Sequence, residues 1–268
     1  MRTSQSEQLN HAGNDHFSRG DYTQAYLCYA KALEHDRLSG DRRALASTLG
    51  NLGNICAVSG RREQAQTYYQ EVLELQKILG DERGIGTTLA NLGNLRADAG
   101  EWDRARAYYL EALDLMQRSG DEASKAVLYS DLGLVARENG EMAQAVEYYQ
   151  QSLALMQRLG NHGGMADAWR MLARTYAMQR RFADGLACCR TSLAIAERLR
   201  DELRIGGAWY LMAHCYEQQG ALAEAVSLLE RVVAVDQKYR LPKLGENIKR
   251  LAALRMKLAD RGREATPS

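Results

Sequence analysis

The feature that most constrains the fold is a repeat of forty residues. The chain has 268 residues, and the glycine of the triplet LGN at 92–94 recurs as a small residue without insertion or deletion. A fixed period of about twenty to fifty residues is the signature of a solenoid, in which each unit packs against its neighbours. The repeat therefore predicts one array with a continuous core. The six equivalent positions are Gly13, Gly53, Gly93, Gly133, Ala173 and Ala213.

Each copy is predicted to form two helices, A and B, joined by a short break. In the third copy, helix A is expected over 82–99 and helix B over 102–115, with Gly100 between them. Glycine takes positive φ angles at little cost and ends a helix readily. Arg180 replaces this glycine in copy five, where we expect a strained or differently shaped turn. Preferred N-cap residues precede five of the A helices. They are Asp41, Asp81, Asp121, Asn161 and Asp201.

The apolar positions of the copies resemble the tetratricopeptide repeat. That family has the pattern W-x2-L-G-x2-Y followed by A-x3-F, and its first half is matched by Trp169, Leu172, Ala173 and Tyr176. The resemblance covers about 7–240, although the period is forty and not about thirty-four, and the closing proline is missing. This longer form is similar to Pins-type polarity adaptors and kinesin light chains, and more loosely to bacterial signalling regulators. The resemblance implies an all-α, right-handed superhelical solenoid of six helix-turn-helix repeats.

The two ends of the chain are expected to differ from the repeats. Residues 1–6 are polar and expected to be disordered, and the six repeats occupy 7–240. Pro242 prevents simple continuation of the last repeat, so 241–260 are expected to form a capping helix, which such arrays require at an open end. Residues 261–268 are expected to form a disordered tail.

The composition narrows the choice of partners and compartment. Lys and Arg number 35 against 34 Asp and Glu, a net charge of +1, so nothing electrostatic favours nucleic acid or an anionic membrane as the main partner. The N-terminus lacks a signal-peptide pattern, and no apolar run approaches the length of a membrane span. Five cysteines without a CxxC motif indicate buried, reduced thiols. We therefore expect a cytoplasmic protein without membrane insertion, bound metal or cofactor.

The second face of helix A supplies the candidate binding site. Relative to Gly93, positions −6, −2, +1 and +5 form one stripe opposite the core, and in the family this stripe lines the concave groove. A primary amide both donates and accepts, so a row of asparagines can bond the backbone of an extended peptide. In the adaptors that this sequence resembles, helix-A asparagines do so; alternatively, these side chains bond to adjacent helices. The candidates are Asn14, Asn51, Asn54, Asn91 and Asn94.

Later copies replace these amides with charged and apolar groups. A mixture of charge and adaptable methionine is suited to selecting side chains, so we expect copies two and three to hold the peptide backbone and copies four to six to select its sequence. The charged candidates are Asp131, Arg137, Arg170, Arg174 and His214.

The predicted function is that of a non-catalytic adaptor or scaffold that binds an extended or helical segment of a protein partner in the groove. Five scattered histidines, without a phosphate loop or nucleophile elbow, give no indication of an enzyme. Two alternatives stay open. The chain could assemble into homo-oligomers or filaments through its ends, or it could be a bacterial regulator that senses a short peptide.

Overall fold

The computed structural model describes residues 4–264, with side chains described as far as Arg261. These residues form thirteen helices, with no strand among them. The all-α prediction is confirmed. The helices are α1 (Gln5–Ser18), α2 (Tyr22–Ser39), α3 (Arg42–Val58), α4 (Arg62–Leu79), α5 (Glu82–Asp98), α6 (Trp102–Ser119), α7 (Glu122–Glu138), α8 (Met142–Arg158), α9 (His162–Met178), α10 (Phe182–Arg198), α11 (Glu202–Gln218), α12 (Leu222–Tyr239) and α13 (Leu244–Glu264).

The chain divides into two compact units, with the boundary inside α7 between Leu128 and Tyr129. In the first unit, consecutive helices from α1 to α6 pack against one another, and the A helices α1, α3 and α5 also touch in that order. In the second unit, consecutive helices from α8 to α13 pack, and the A helices α9 and α11 touch. Each unit is therefore built from helix hairpins. The placement of all six repeats in one domain stays a prediction.

A small residue in helix A makes room for a large one in helix B of the same repeat. A Cβ atom added to Gly93 would lie 2.5 Å from Cε1 of Tyr109, whose side chain is buried. In repeat five the difference in size is less, because Ala173 replaces glycine and Cys189 replaces tyrosine, and both are buried. Helices A and B of one repeat thus approach each other closely at this position. The same contact with a tyrosine ring recurs at Gly13, Gly53 and Gly133.

The predicted capping residues occupy their positions. In the third repeat Asp81 accepts a hydrogen bond of 2.9 Å from the backbone N–H of Gly84. Helix B of that repeat continues to Ser119, beyond the predicted end at 115, and stops where Gly120 adopts a φ of 71°. The N-cap prediction is confirmed for Asp41, Asp81, Asp121, Asn161 and Asp201.

The turn at Arg180 has the same shape as the glycine turns. Its φ is 61°, against 74° for Gly100, and each turn is closed by a 2.9 Å backbone bond, Arg181 to Tyr176 and Glu101 to Arg96. The sequence allowed a differently shaped turn, and the structure instead places a residue with a Cβ in the left-handed region. That conformation costs a non-glycine residue roughly 1 kcal/mol.

Replacing Arg180 with glycine is expected to stabilise the protein by about 0.5–1 kcal/mol, because the left-handed strain disappears while the turn keeps its hydrogen bond. The measurement is the midpoint of urea unfolding followed by circular dichroism. The reverse change, Gly100→Arg, should destabilise the protein by a similar amount. A loss of stability in Arg180→Gly would show that the arginine side chain contributes more than its backbone strain costs.

Both ends of the described chain are helical further than predicted. The hydroxyl of Ser4 accepts from the N–H of Glu7, whose carboxylate accepts from the Ser4 N–H, and this capping box starts α1 at Gln5. Residues 4–6 are therefore ordered, contrary to the prediction; 1–3 and 265–268 lie outside the described residues. The C-terminal helix α13 extends to Glu264.

Helix α13 docks on α12 by both apolar and polar contacts. Leu251 and Leu254 are buried in the cluster formed with α12. The amide of Asn247 donates a 2.7 Å hydrogen bond to the carboxylate of Asp236, and both residues are buried. Asn247 thus satisfies an acidic group that would be costly to bury alone.

Candidate functional site

Three exposed asparagines at position +1 are held by tyrosines of helix B in the first unit. Each tyrosine hydroxyl donates to the amide oxygen, so that oxygen is occupied. No hydrogen bond of their Nδ2 groups is found within residues 4–261. Each repeat of this unit therefore presents an oriented amide with a donor left over. The bonds are Tyr29 to Asn14 (2.6 Å), Tyr69 to Asn54 (2.7 Å) and Tyr109 to Asn94 (2.7 Å).

The asparagines at position −2 bond through the amide nitrogen instead of the amide oxygen. The amide nitrogen of Asn51 donates to the oxygen of Asn10 at 3.2 Å, and that of Asn91 donates to Asn54 at 3.4 Å. In these half-buried side chains the nitrogen is occupied, and the described part of the chain provides no donor for either oxygen. The alternative that these amides bond to neighbouring helices thus holds for one end of each amide, and within the described residues the other end has no hydrogen bond. Peptide binding by the amides stays a prediction.

The amides of α3 and α5 line a cavity. It has a volume of about 410 Å³, and its lining includes Asn54, Asn91 and Asn94. Apolar surface from Phe17 and Leu95 lies beside them. A concave site of this size with a few polar groups among apolar side chains is typical of a ligand-binding site.

The second unit contains a separate pocket of about 380 Å³ between α9, α11, α12 and the segment that joins α12 to α13. Arg170 and Arg174, both candidates from the sequence, line it together. Leu211, at the equivalent stripe position of copy six, also lines it. The sequence analysis missed the remaining lining residues, and the signal that could have found them is the pair of adjacent glycines inside a predicted helix A. The missed residues are Leu203, Gly206, Gly207, Tyr210, Val232, Val235, Asp236, Leu241, Pro242, Lys243 and Asn247.

Arg174 differs from the other charged residues of this pocket in its burial and in its lack of a described partner. Burial first, and then the charges of Arg137 and Arg170, lower the pKa of its guanidinium. No hydrogen bond or ion pair of Arg174 is found among the described side chains. The acidic residues nearby have partners, since Asp167 pairs with Arg204 at 2.9 Å and Asp236 accepts from Asn247. Among the described residues, Arg174 therefore has no direct acidic partner, whereas Arg170 is paired with Asp167 at 3.5 Å.

Arg137 departs from the expected role of a groove contact. It is only 3% exposed, and its guanidinium bonds to the Glu138 carboxylate at 2.8 Å and to the Tyr149 hydroxyl at 3.5 Å. Burial removes it from direct contact with a ligand. A buried charge needs a partner, so Arg137 and Glu138 act as a supporting ion pair within the second unit.

Asp131 and His214 are half-buried candidates whose titration is shifted by their surroundings. Burial raises the pKa of Asp131 from its ordinary 3.8 to about 7. Burial, followed by the charge of Arg250, lowers the pKa of His214. In both cases burial disfavours the charged form.

The thiols and acidic groups of the described chain do not form a reactive cluster. All five cysteines are free, and burial raises the pKa of Cys188 to about 11, which keeps it in the poorly nucleophilic thiol form. Within residues 4–261, no group of three or more His, Cys, Asp or Glu side chains could hold a metal ion. None of the helices described is both long and apolar enough to span a membrane.

Solved structures share this fold at low sequence identity. BtubC (BKLC) from P. vanneervenii has a TM-score of 0.68 and 18% identity, over 87% of this chain and 92% of that one. A Rap protein complexed with competence and sporulation factor has a TM-score of 0.69 and 15% identity, over 97% and 78%. A putative kinesin light chain from Podosopora anserina has a TM-score of 0.59 and 20% identity, over 73% and 96%. At these identities the likeness shows the fold alone.

The sequence pattern and the helix hairpins lead to the same family. None of the curated protein sequences compared with this chain matches it. The tetratricopeptide repeat matches at 6–78, 84–158, 124–184 and 164–238, which together cover most of the chain. Repeats of this kind support a role in protein interaction and imply a protein partner. The chain belongs to the tetratricopeptide repeat family.

Proposed function

We propose that this chain is a non-catalytic adaptor whose first unit binds the backbone of an extended peptide segment from a partner protein. The observation that carries the proposal is the division of the amides. Asn54 and Asn94 retain donors, and Asn51 and Asn91 retain acceptors. An extended backbone presents one donor and one acceptor for each residue, so it can satisfy both sets.

The tyrosines make this site ready for a ligand. The hydroxyl bonds of Tyr69 and Tyr109 fix the orientation of the Asn54 and Asn94 amides before any peptide arrives. Little side-chain freedom is then lost on binding, which favours affinity. A peptide carbonyl that accepts from Nδ2 leaves the tyrosine bond intact.

The second unit is proposed to select side chains, as the sequence suggested. Asp131, Arg170, Arg174 and His214 are half-buried and can contact a ligand, whereas Arg137 supports them from below the surface. A positively charged surface favours acidic side chains and rejects basic ones.

A peptide-sensing regulator is the alternative that one comparison favours. The Rap protein of similar fold was solved with competence and sporulation factor bound. Both functions use a ligand site on the repeats, and they differ in whether the ligand is a segment of a larger protein or a free signal. Self-assembly through the ends of the chain stays a prediction, and light scattering over a hundredfold concentration range would detect it.

Changing Asn54 and Asn94 together to aspartate is expected to weaken peptide binding by at least about tenfold, because each aspartate keeps the oxygen that accepts from tyrosine and loses the Nδ2 donor. The probe is a displayed library of random twelve-residue peptides. Peptides selected on the unmodified protein are then measured by fluorescence anisotropy on the variant. Urea unfolding should show a stability change of less than about 1 kcal/mol.

Gln70→Glu is the control for added negative charge, because it places one carboxylate on an exposed position of α4. This variant should bind the selected peptides with unchanged affinity. The proposal is contradicted if the library yields no binding peptide, or if Asn54→Asp/Asn94→Asp binds the selected peptides as tightly as the unmodified protein does.

A further inference from the structure

The pocket of the second unit exists because side chains are missing from α11. Gly206 and Gly207 both line it. At the position of Gly207, the five preceding copies carry Glu7, Ser47, Thr87, Val127 and Asp167. A Cβ atom added to Gly207 would meet only Arg170 Cδ and Nε, at 3.4 and 3.7 Å. A helical glycine lowers helix stability relative to alanine, and here the missing side chain leaves the space beside Arg170 open.

The segment after the last repeat completes the pocket. Leu241, Pro242 and Lys243 line one side, opposite Arg170 and Arg174 from α9. Most of the lining is apolar. The volume of about 380 Å³ lies in the range of small-molecule sites. At the roughly 30 Å³ that a water molecule occupies in the liquid, this is space for about a dozen non-hydrogen atoms.

Charge defines the ligand class. Three cations, Arg170, Arg174 and Lys243, line the pocket, with Asp236 as the acidic residue of its lining. Arg170 is already paired with Asp167 at 3.5 Å, so Arg174 is the guanidinium available to a ligand. The Asp236 carboxylate already accepts from Asn247 at 2.7 Å. Arg174 is half-buried and has no described hydrogen bond, so an anion there would gain a charge-assisted bond without displacing an internal partner.

We propose that this pocket binds a small apolar monocarboxylate, with the carboxylate on Arg174 and the apolar body between Tyr210 and the side chains of Leu203 and Val235. The pocket shares Arg170 and Arg174 with the surface proposed to select peptide side chains, but it lies apart from the asparagines of the first unit, and binding of a free monocarboxylate does not depend on the peptide-binding function. A compact pocket enclosed on one side by Pro242 suits a molecule of this size better than a continuous chain, which needs partners for its flanking peptide groups.

Titration calorimetry of the full chain with 4-phenylbutanoate and with decanoate tests the proposal. Each has a dozen non-hydrogen atoms. We expect at least one to bind with a Kd below about 1 mM, a value that matches the affinity per atom usual for small ligands. The neutral 4-phenylbutanamide, of nearly the same shape as 4-phenylbutanoate, should bind at least about tenfold more weakly than the acid.

Two variants separate the contribution of the Arg174 charge to ligand affinity from that of the cavity volume. Arg174→Gln should weaken carboxylate binding by about tenfold and change amide binding by less than about twofold. Gly207→Leu should abolish the binding of both, because its side chain fills the pocket, and leucine also favours the helix. Arg198→Gln, which removes an exposed charge of α10 outside the pocket, should change neither affinity.

Three results would overturn the inference. The first is that neither carboxylate binds with a Kd below about 1 mM. The second is equal affinity for the acid and the amide, and the third is binding that survives both Arg174→Gln and Gly207→Leu. If Gly207→Leu impaired only the library-selected peptides, the pocket would be a peptide subsite and the monocarboxylate would be excluded. If peptide binding were lost only in Asn54→Asp/Asn94→Asp, the conclusion about monocarboxylate binding in this pocket would not change.

Discussion

Replacing Gly93 with alanine is expected to destabilise the protein by about 3 kcal/mol, the upper end of the usual cost of overpacking. The added Cβ would lie 2.5, 2.7 and 3.1 Å from three ring atoms of Tyr109. The ring cannot move aside cheaply, because it is 1% exposed and its hydroxyl is bonded to Asn94 at 2.7 Å. The measurement is the shift in the urea midpoint, with the m-value checked for constancy.

A second change should rescue this variant. Repeat six pairs Ala213 with Leu229, so Gly93→Ala combined with Tyr109→Leu copies a combination that the chain already contains. Tyr109→Leu alone should cost about 2 kcal/mol through the cavity it leaves. The double variant should be more stable than the sum of the single effects predicts by at least about 1 kcal/mol, because the two positions are in contact.

Gly50→Ala is the matched control for the helical substitution. A Cβ at Gly50 would have no atom within 4 Å outside its own helix, so this variant should be unchanged or more stable by up to about 1 kcal/mol. Equal effects of Gly93→Ala and Gly50→Ala would mean that the tyrosine ring does not determine the residue at position 93.

Replacing Asp131 with asparagine is expected to stabilise the protein by about 2–4 kcal/mol at pH 8. Burial raises the pKa of this carboxyl to about 7, so at pH 8 the folded protein contains an ionised group in a poorly solvated position. No hydrogen bond or ion pair of the Asp131 carboxyl is found within the described residues. Asparagine removes the charge at nearly constant volume.

The stability difference between Asp131→Asn and the unmodified protein should grow as the pH rises. Below its ordinary pKa of 3.8, Asp131 is protonated in both states, and the two proteins should be equally stable. As the pH rises towards about 7, the unfolded chain releases this proton before the folded one does, so the unmodified protein loses stability. Each pKa unit corresponds to about 1.36 kcal/mol. Above pH 7 the difference should stay constant.

Urea unfolding at pH 4, 6 and 8 measures this difference. Asp15→Asn, which neutralises an exposed carboxyl on α1, should change stability by less than about 0.5 kcal/mol at each pH. A gain in Asp131→Asn that is the same at pH 4 and pH 8 would contradict the assignment to ionisation. A loss of stability at pH 8 would show that the carboxylate has a favourable interaction in the folded state.

Features that depend on neighbours within one repeat could be predicted from the sequence. The small residue of helix A and the tyrosine of helix B lie sixteen positions apart, as Gly93 and Tyr109 do, and this pair recurs in each of the first four repeats. The N-cap aspartates follow equally local chemistry, since Asp81 bonds a backbone N–H three residues away. The end of helix B was missed because the glycine at 120 was not recognised as its left-handed terminator.

The candidate amides could be located, but the state of each amide could not. Helical spacing places Asn54 and Asn91 on the exposed stripe of helix A. Which end of each amide is occupied depends on the Tyr69 hydroxyl and on the side chain of the preceding repeat. Asn10 was missed for the same reason, because its role as acceptor for Asn51 is visible only when two helices are side by side.

The sequence by itself determined the family, the helix hairpins and their caps, because a period of forty residues repeats the same short-range contacts in every copy. Only the tertiary structure decided which charged groups are buried and where a pocket opens. Arg137 and Arg174 look alike in the sequence, yet Arg137 is paired with Glu138, whereas Arg174 lies beside a cavity with no hydrogen bond or ion pair to the described side chains. Burial and cavity volume depend on elements distant in the sequence, such as the Leu241–Lys243 segment against α9, and no local pattern encodes them.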